Sequence, residues 1–180
     1  MNMSNVNNTY ALAMNKDQAK ELDIVSISDL ADYVNNNPGE LTMASDAEFA
    51  NRPDGLPGVE ELYGFKFGSG QIKQMDLGLT QRALNNRQVD VSVAFETDAT
   101  IVDYDLVTLK DDKKFFPPYH AAPVVREEIL KTYPELREAL APLGSLIDNT
   151  TMRVLNYEVN ENKRGISELV TEFLQDKEIL

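Results

Sequence analysis

An α/β fold is what this sequence predicts, on three observations. Strand-like and helix-like stretches alternate to about residue 125. A continuous helical tail follows from Arg126. The 180 residues, 42% of them hydrophobic, are enough for one ordinary domain or two small lobes.

In order, TYALAMN reads as a strand and KDQAKELD as a short helix. SISDLADYVNNNPGE is a helix with Ser26 or Ser28 as its N-cap: Ile27, Leu30, Ala31 and Val34 recur at helical spacing, and the Asn-rich run with Pro38 and Gly39 ends it. LTMAS is a short strand. RPDGLPG is dense in turn residues, and VEELYG closes a helix at Gly64. FKFGSGQIKQM reads as a strand and GLTQRALNNRQ as a helix. VDVSVAFE alternates and carries three valines, which favour extended structure. IVDYDLVTLKD is expected to be another strand and APVV a short one; REEILKTYPELREALAPLGSLI, NTTMRVLNYEVN and GISELVTEFLQ are expected to be helical. TDATIVDYDL, residues 97–106, is the expected crossover between two lobes.

Charge and composition narrow the chemistry. Thirty acids against 17 Lys and Arg give a formal charge of −13. Phosphate binding needs clustered positive charge, so nucleic acid is an unfavourable partner, as is an anionic membrane surface. The acidity reads as solubility, with steering of a cationic or zwitterionic ligand as the second account. With no cysteine, disulfides, thiolate metal sites and thiol nucleophiles are excluded, and His120 is the single histidine. No apolar stretch approaches the roughly 18 residues needed to span a bilayer. MNMSNVNN has neither a basic start nor an apolar core and so does not read as a signal peptide. GSG at 68–70 lacks the spacing of a nucleotide fingerprint and reads as a turn. No carboxylate pair, metal centre or nucleophile stands out, so neither catalysis nor a cofactor is expected. His120 reads as a hydrogen-bonded surface residue, with a pH-sensitive contact as the alternative.

The aromatic residues say more. In FFPPYHAAPVV, Pro117 and Pro118 fix two φ angles and remove two donors, which places Tyr119 on a stiff extended segment. Tyr10 opens one strand and Phe95 ends another. Ligands of α/β sheets gather outside strand ends, and several ring faces there attract a cation, each by roughly 0.5–2 kcal/mol. Core packing is the competing account of each ring, and the residues alone take the reading no further than an aromatic-lined cleft.

NNTYALAM, RPDGLPGVEELYG, MDLGLTQRALNNRQVDVSVAFETDATI, DLVTLKDDKKFFPPYHAAPVVREEIL and PELREALAPLGSLIDNTTMRVLNYEV together resemble the quaternary-amine substrate-binding proteins of ABC importers, from about Asn7 to Leu174 and in the same block order. That resemblance implies a type II periplasmic-binding-protein-like fold of two lobes that closes on its ligand by a hinge. Residues 7–96 are then the complete second lobe, and 97–180 the return crossing with the C-terminal part of the first. It also implies a long N-terminal segment before NNTY and an export signal or permease fusion, neither of which the sequence shows. The chain therefore reads as a fragment, whose exposed apolar faces would be covered in a homodimer or by a segment swap.

The implied ligands are glycine betaine, choline, carnitine and proline betaine; the implied protein partner is the permease subunit. The implied location is extracytoplasmic and membrane-associated, as a lipoprotein or a permease fusion. By resemblance the cage around the ammonium is Tyr10, Phe95 and Tyr119, with Phe95 standing where relatives commonly carry tyrosine. Asn8 and Thr97 are the polar contacts beside it. Arg52 resembles the arginine that pairs with a betaine carboxylate in some members; a solvent-facing loop residue is the alternative. The competing function is a cytoplasmic effector-sensing domain of a transcription regulator with the same fold.

Overall fold

The computed structural model describes residues 4–179; Met1–Met3, the head of the segment that does not read as a signal peptide, and Leu180 lie outside the described residues. The chain divides into two compact units. A sheet unit comprises Tyr10–Phe95 and Thr100–Pro117, and a helical unit takes in, among the described residues, 4–9, Glu96–Ala99 and 118–179.

The sheet unit runs β1 (Tyr10–Asn15), α1 (Lys16–Glu21), α2 (Ile27–Asn36), β2 (Met43–Ser45), α3 (Ala47–Asn51), α4 (Leu56–Tyr63), β3 (Ile72–Gln74), α5 (Leu77–Asn85), β4 (Val91–Phe95), α6 (Thr100–Asp103) and β5 (Leu106–Thr108). The five strands form one sheet in the order β3-β2-β4-β1-β5. β2 pairs in parallel with β3 and β4, whereas β1 runs antiparallel to both β4 and β5.

Alternation along the strands divides the core by side-chain size. Leu12, Met14, Met43, Val91 and Val93 join Ile27, Leu30, Phe49, Leu56 and Val59 in the larger apolar cluster. The intervening Ala13, Ala44 and Ala94 fall in the other cluster, with Ala83 and Leu84 of α5, Ile101 and Leu106. Small residues on that face let α5 lie close to the strands. Its buried polar groups are satisfied there: the Thr80 hydroxyl donates to the carbonyls of Leu77 and Val93, and Gln81 Nε2 donates to Val93 O.

Local chemistry explains the boundaries. Ser26 caps α2 in a reciprocal box, accepting from Asp29 N at 3.1 Å while Asp29 Oδ2 accepts from Ser26 N at 2.8 Å. α4 ends at Gly64, whose φ of 75° is the left-handed conformation that glycine adopts without strain.

Several expected elements differ. IVDYDLVTLKD is not one strand: Thr100–Asp103 is helical, and Asp105, at φ 48°, turns the chain before β5 begins. FKFGSGQIKQM forms a strand only over Ile72–Gln74, because Phe65 and Phe67 are buried in the large cluster ahead of the glycine turn. APVV forms no strand: Pro123 has no N–H to donate, and Val124 is 97% exposed.

The helical unit holds α7 (Glu127–Thr132), α8 (Leu136–Leu140), α9 (Leu143–Leu146), α10 (Asn149–Asn160) and α11 (Ile166–Asp176). Pro134 and Pro142 break the expected long helix into the first three. Asp148 caps α10 by accepting from Thr151 N at 2.8 Å. Among the five helices only Leu169 is buried. Among the described residues no helix is long and apolar enough to cross a membrane.

The size segregation has a measurable consequence. Ala44→Leu adds bulk where α5 meets β2 and is expected to destabilise the protein by about 1–3 kcal/mol, read as a lower midpoint in denaturant. An unchanged midpoint would mean that α5 does not depend on the small face.

Candidate functional site

The six residues singled out above divide evenly between the units: Tyr10, Phe95 and Arg52 in the sheet unit, and Asn8, Thr97 and Tyr119 in the helical unit.

In the sheet unit the pairing register places Tyr10 directly opposite Phe95. Their ring centroids lie 4.6 Å apart at an interplanar angle of 33°. Both rings are partly exposed, so this is a surface of the sheet unit and not its interior. Two further rings support the pair from below. Phe49 lies 5.2 Å and Phe116 6.2 Å from the Tyr10 ring, and both are buried. Neither was singled out from the sequence. Phe49 sits just ahead of the turn-rich RPDGLPG, in a stretch to which the sequence reading assigned no element; α3 forms there because Asp46 caps it, accepting from Glu48 N and Phe49 N.

The turn after α3 requires its glycine. A Cβ on Gly55 would stand 2.3 Å from Phe49 O, against backbone that cannot yield. Arg52, at the C-terminal end of α3, places its guanidinium carbon 6.0 Å from the Tyr10 ring centroid. The same guanidinium is held in-plane by acids. Nε and Nη2 donate to the two carboxylate oxygens of Asp54 at 2.7 and 2.9 Å, and Nη1 donates to Glu48 Oε1 at 2.6 Å. These bonds raise the pKa of Arg52 further and lower that of Asp54, in each case chiefly through the Arg52–Asp54 contact.

Phe116 is placed by a carboxylate. Asp111 accepts from the Tyr63 hydroxyl at 2.5 Å and from the backbone N–H groups of Phe115 and Phe116 at 2.9 Å each. The Tyr63 oxygen in turn accepts from Lys113 N. Burial, and then donation to Asp111, pushes the Tyr63 hydroxyl well above the ordinary phenol range. The DDKKFF loop is therefore fastened to α4, with Phe116 turned into the core.

In the helical unit, Asn8, Thr97 and Tyr119 are brought together. The Thr97 hydroxyl donates to Asn8 Oδ1 at 2.5 Å, and Asn8 N donates to Tyr119 O at 3.1 Å. Tyr119 N donates to Asn7 Oδ1, while the residue as a whole is 55% exposed. Thr97 is buried, and Asn156 Nδ2 of α10 donates to its carbonyl. Arg153, also on α10, bonds both the carbonyl and the carboxylate of Glu96 in a mostly buried pair. Asn149 and Asn7 bond each other reciprocally: Asn7 N donates to Asn149 Oδ1 and Asn149 Nδ2 to Asn7 O. Sequence reading missed this α10 row. The i, i+4 and i, i+7 spacing of Asn149, Arg153 and Asn156 puts the three on one helix face, which was the available signal. His120 forms an isolated antiparallel bridge with Asn7 and is exposed.

Among the described residues no group of three or more acidic or histidine side chains is arranged to hold a metal ion.

Residues 1–176 match the family described as the substrate binding domain of ABC-type glycine betaine transport systems. The chain belongs to this family. It is 43% identical over 97% of its length to a glycine-betaine-binding protein of Pseudomonas aeruginosa, and 38% identical over 93% to a carnitine transport binding protein of Listeria monocytogenes. Those matches span 58% and 53% of the two relatives, so the chain covers little more than half their length. A crystal structure of a glycine betaine/carnitine/choline ABC transporter protein superposes with a TM-score of 0.91 at 36% identity, over 99% of this chain and 64% of that one.

The fold is the type II periplasmic-binding-protein-like α/β fold. Members of this family bind solutes and are not enzymes.

Two outcomes test the local geometry. Asp111→Asn turns an amide towards backbone donors and is expected to cost about 1–3 kcal/mol of stability in denaturant titration. Acid should weaken the fold through its bonded carboxylates. Asp29, held low mainly by the Ser26 hydroxyl, Asp54 by Arg52 and Asp148 by the Thr151 N–H all have depressed folded values. Their contribution is complete above the unfolded value of about 3.9 and is lost as pH falls below it through the folded values. A melting temperature that stays flat or rises from pH 5 to pH 2 would contradict this.

Proposed function

We propose that this chain is the solute-binding part of an ABC importer for quaternary ammonium osmolytes: glycine betaine, choline, carnitine or proline betaine. The observation that carries the proposal is the partly exposed Tyr10–Phe95 pair, set in register across β1 and β4 and backed by buried Phe49 and Phe116. A permanently charged, methylated nitrogen cannot be satisfied by hydrogen-bond acceptors in the way an ammonium with N–H groups can. Electron-rich ring faces supply attraction while matching its apolar methyl surface.

In this reading each unit supplies its own contacts. The sheet unit offers the rings of Tyr10 and Phe95, with Arg52 beside them; the helical unit offers Tyr119, Asn8 and Thr97. The Asn8–Thr97 hydrogen bond holds two polar side chains in fixed orientation, which suits them to orient a ligand's polar end. Phe95 supplies a ring face without a hydroxyl, so it contributes attraction for the cation and no hydrogen bond.

Loaded protein would deliver its solute to the permease subunit, in an extracytoplasmic, membrane-associated setting. The relatives and the solved structure named above are transport or binding proteins, which supports that setting over an effector-sensing domain of a transcription regulator.

In the full-length protein, Tyr10→Ala and Tyr119→Ala are each expected to weaken choline or glycine betaine binding by about tenfold or more in calorimetry. Affinities unchanged by both substitutions would remove the aromatic reading.

A further inference from the structure

We propose that Asp54 and Glu48 are specificity-determining residues. By holding the Arg52 guanidinium, they set how strongly the Tyr10–Phe95 face favours a carboxylate-free quaternary ammonium over a zwitterion. The inference rests on the proposed function and deepens it.

The argument starts from who already occupies Arg52. A ligand carboxylate would bind a guanidinium best as a planar, two-bond fork. In this structure the Nε/Nη2 edge of Arg52, one of the edges able to make that fork, is taken by both oxygens of Asp54. Nη1 is committed to Glu48, four residues earlier in the first turn of α3. An incoming carboxylate must therefore displace an internal one or accept a poorer approach.

Charge acts in the same direction. One guanidinium against two carboxylates leaves this group with a net charge of −1, beside the ring that Arg52 overlies. A bare cation is attracted by that net charge, whereas the carboxylate of a zwitterion is repelled by it. The acids are well exposed, at 68% for the Glu48 and 72% for the Asp54 side chain. Solvent screens them, so they tune preference between ligands and do not abolish binding. Two acids flank a single arginine within seven residues, in a turn held rigid by the close approach of Gly55 to Phe49. The clamp is thus part of the folded loop and not a chance meeting of long side chains.

The test measures choline and glycine betaine affinities by calorimetry for the full-length wild type, Asp54→Asn and Glu48→Gln, with folding checked by circular dichroism. Asp54→Asn frees the forked edge and neutralises the group. It is expected to raise the betaine-to-choline affinity ratio about fivefold. Glu48→Gln should move the ratio in the same direction by less, since it releases one bond instead of two. Raising the ionic strength should shrink both differences. If Asp54→Asn fails to fold, Glu48→Gln carries the same test. A wild type that binds either probe, with the ratio unmoved in the folded variants, overturns this inference and leaves the proposed function standing. A wild type that binds neither probe overturns both.

Discussion

The antiparallel pairing of β1 with β4 is the constraint on which the rest of the sheet unit depends. It inserts the first strand between β4 and β5, closes the sheet order β3-β2-β4-β1-β5 and sets Tyr10 opposite Phe95. Because side chains alternate along a strand, a slip of one residue would turn Leu12 and Met14 away from the large apolar cluster. The register is therefore enforced by burial in the interior of β1, while its consequence appears at the strand end. Core packing and the aromatic surface are two readings of the same pairing.

Around that pair, side chains of modest individual worth act by placement. Asp46 starts α3 and so delivers Phe49; Asp111 gathers Tyr63 and two backbone N–H groups and so delivers Phe116. Both acids are spent on backbone or hydroxyl donors and not on cations, so part of the chain's −13 charge is structural. In the helical unit, α10 plays the corresponding part. Asn149, Arg153 and Asn156 each hold a segment from elsewhere in the sequence, and between them they fasten Asn7, Glu96 and Thr97. Net acidity of the whole chain and the acid clamp on Arg52 are separate matters, because only the clamp lies beside the rings.

Much of the architecture was legible in the residues. Valine-rich alternation marked β4, the Ser26 cap and the Ile27, Leu30, Ala31, Val34 spacing marked α2, and Gly64 marked the end of α4. What was not legible followed from competition between local and long-range terms. Asp105 in a left-handed turn split an apparently continuous strand, and two prolines split an apparently continuous helix. Of the candidate site, the strand-end positions of Tyr10 and Phe95 could be read, but the supporting rings could not. Phe49 lay just ahead of the turn-rich RPDGLPG in a stretch too short to show helical periodicity, and Phe116 looked like one aromatic in a proline-bounded run.

By itself, the sequence determined the alternating α/β plan, the exclusion of cysteine chemistry and the local caps and breaks, because each follows from residue type and near-neighbour spacing. Tertiary structure alone decided that Tyr10 meets Phe95, that Arg52 overlies Tyr10 while bound to two acids, and that α10 holds Glu96 and Thr97. Tyr10 and Phe95 are far apart in the chain, and Thr97 meets Asn8 across a similar stretch. Such contacts are set by strand register and helix packing, which burial of the whole core selects and no local pattern encodes.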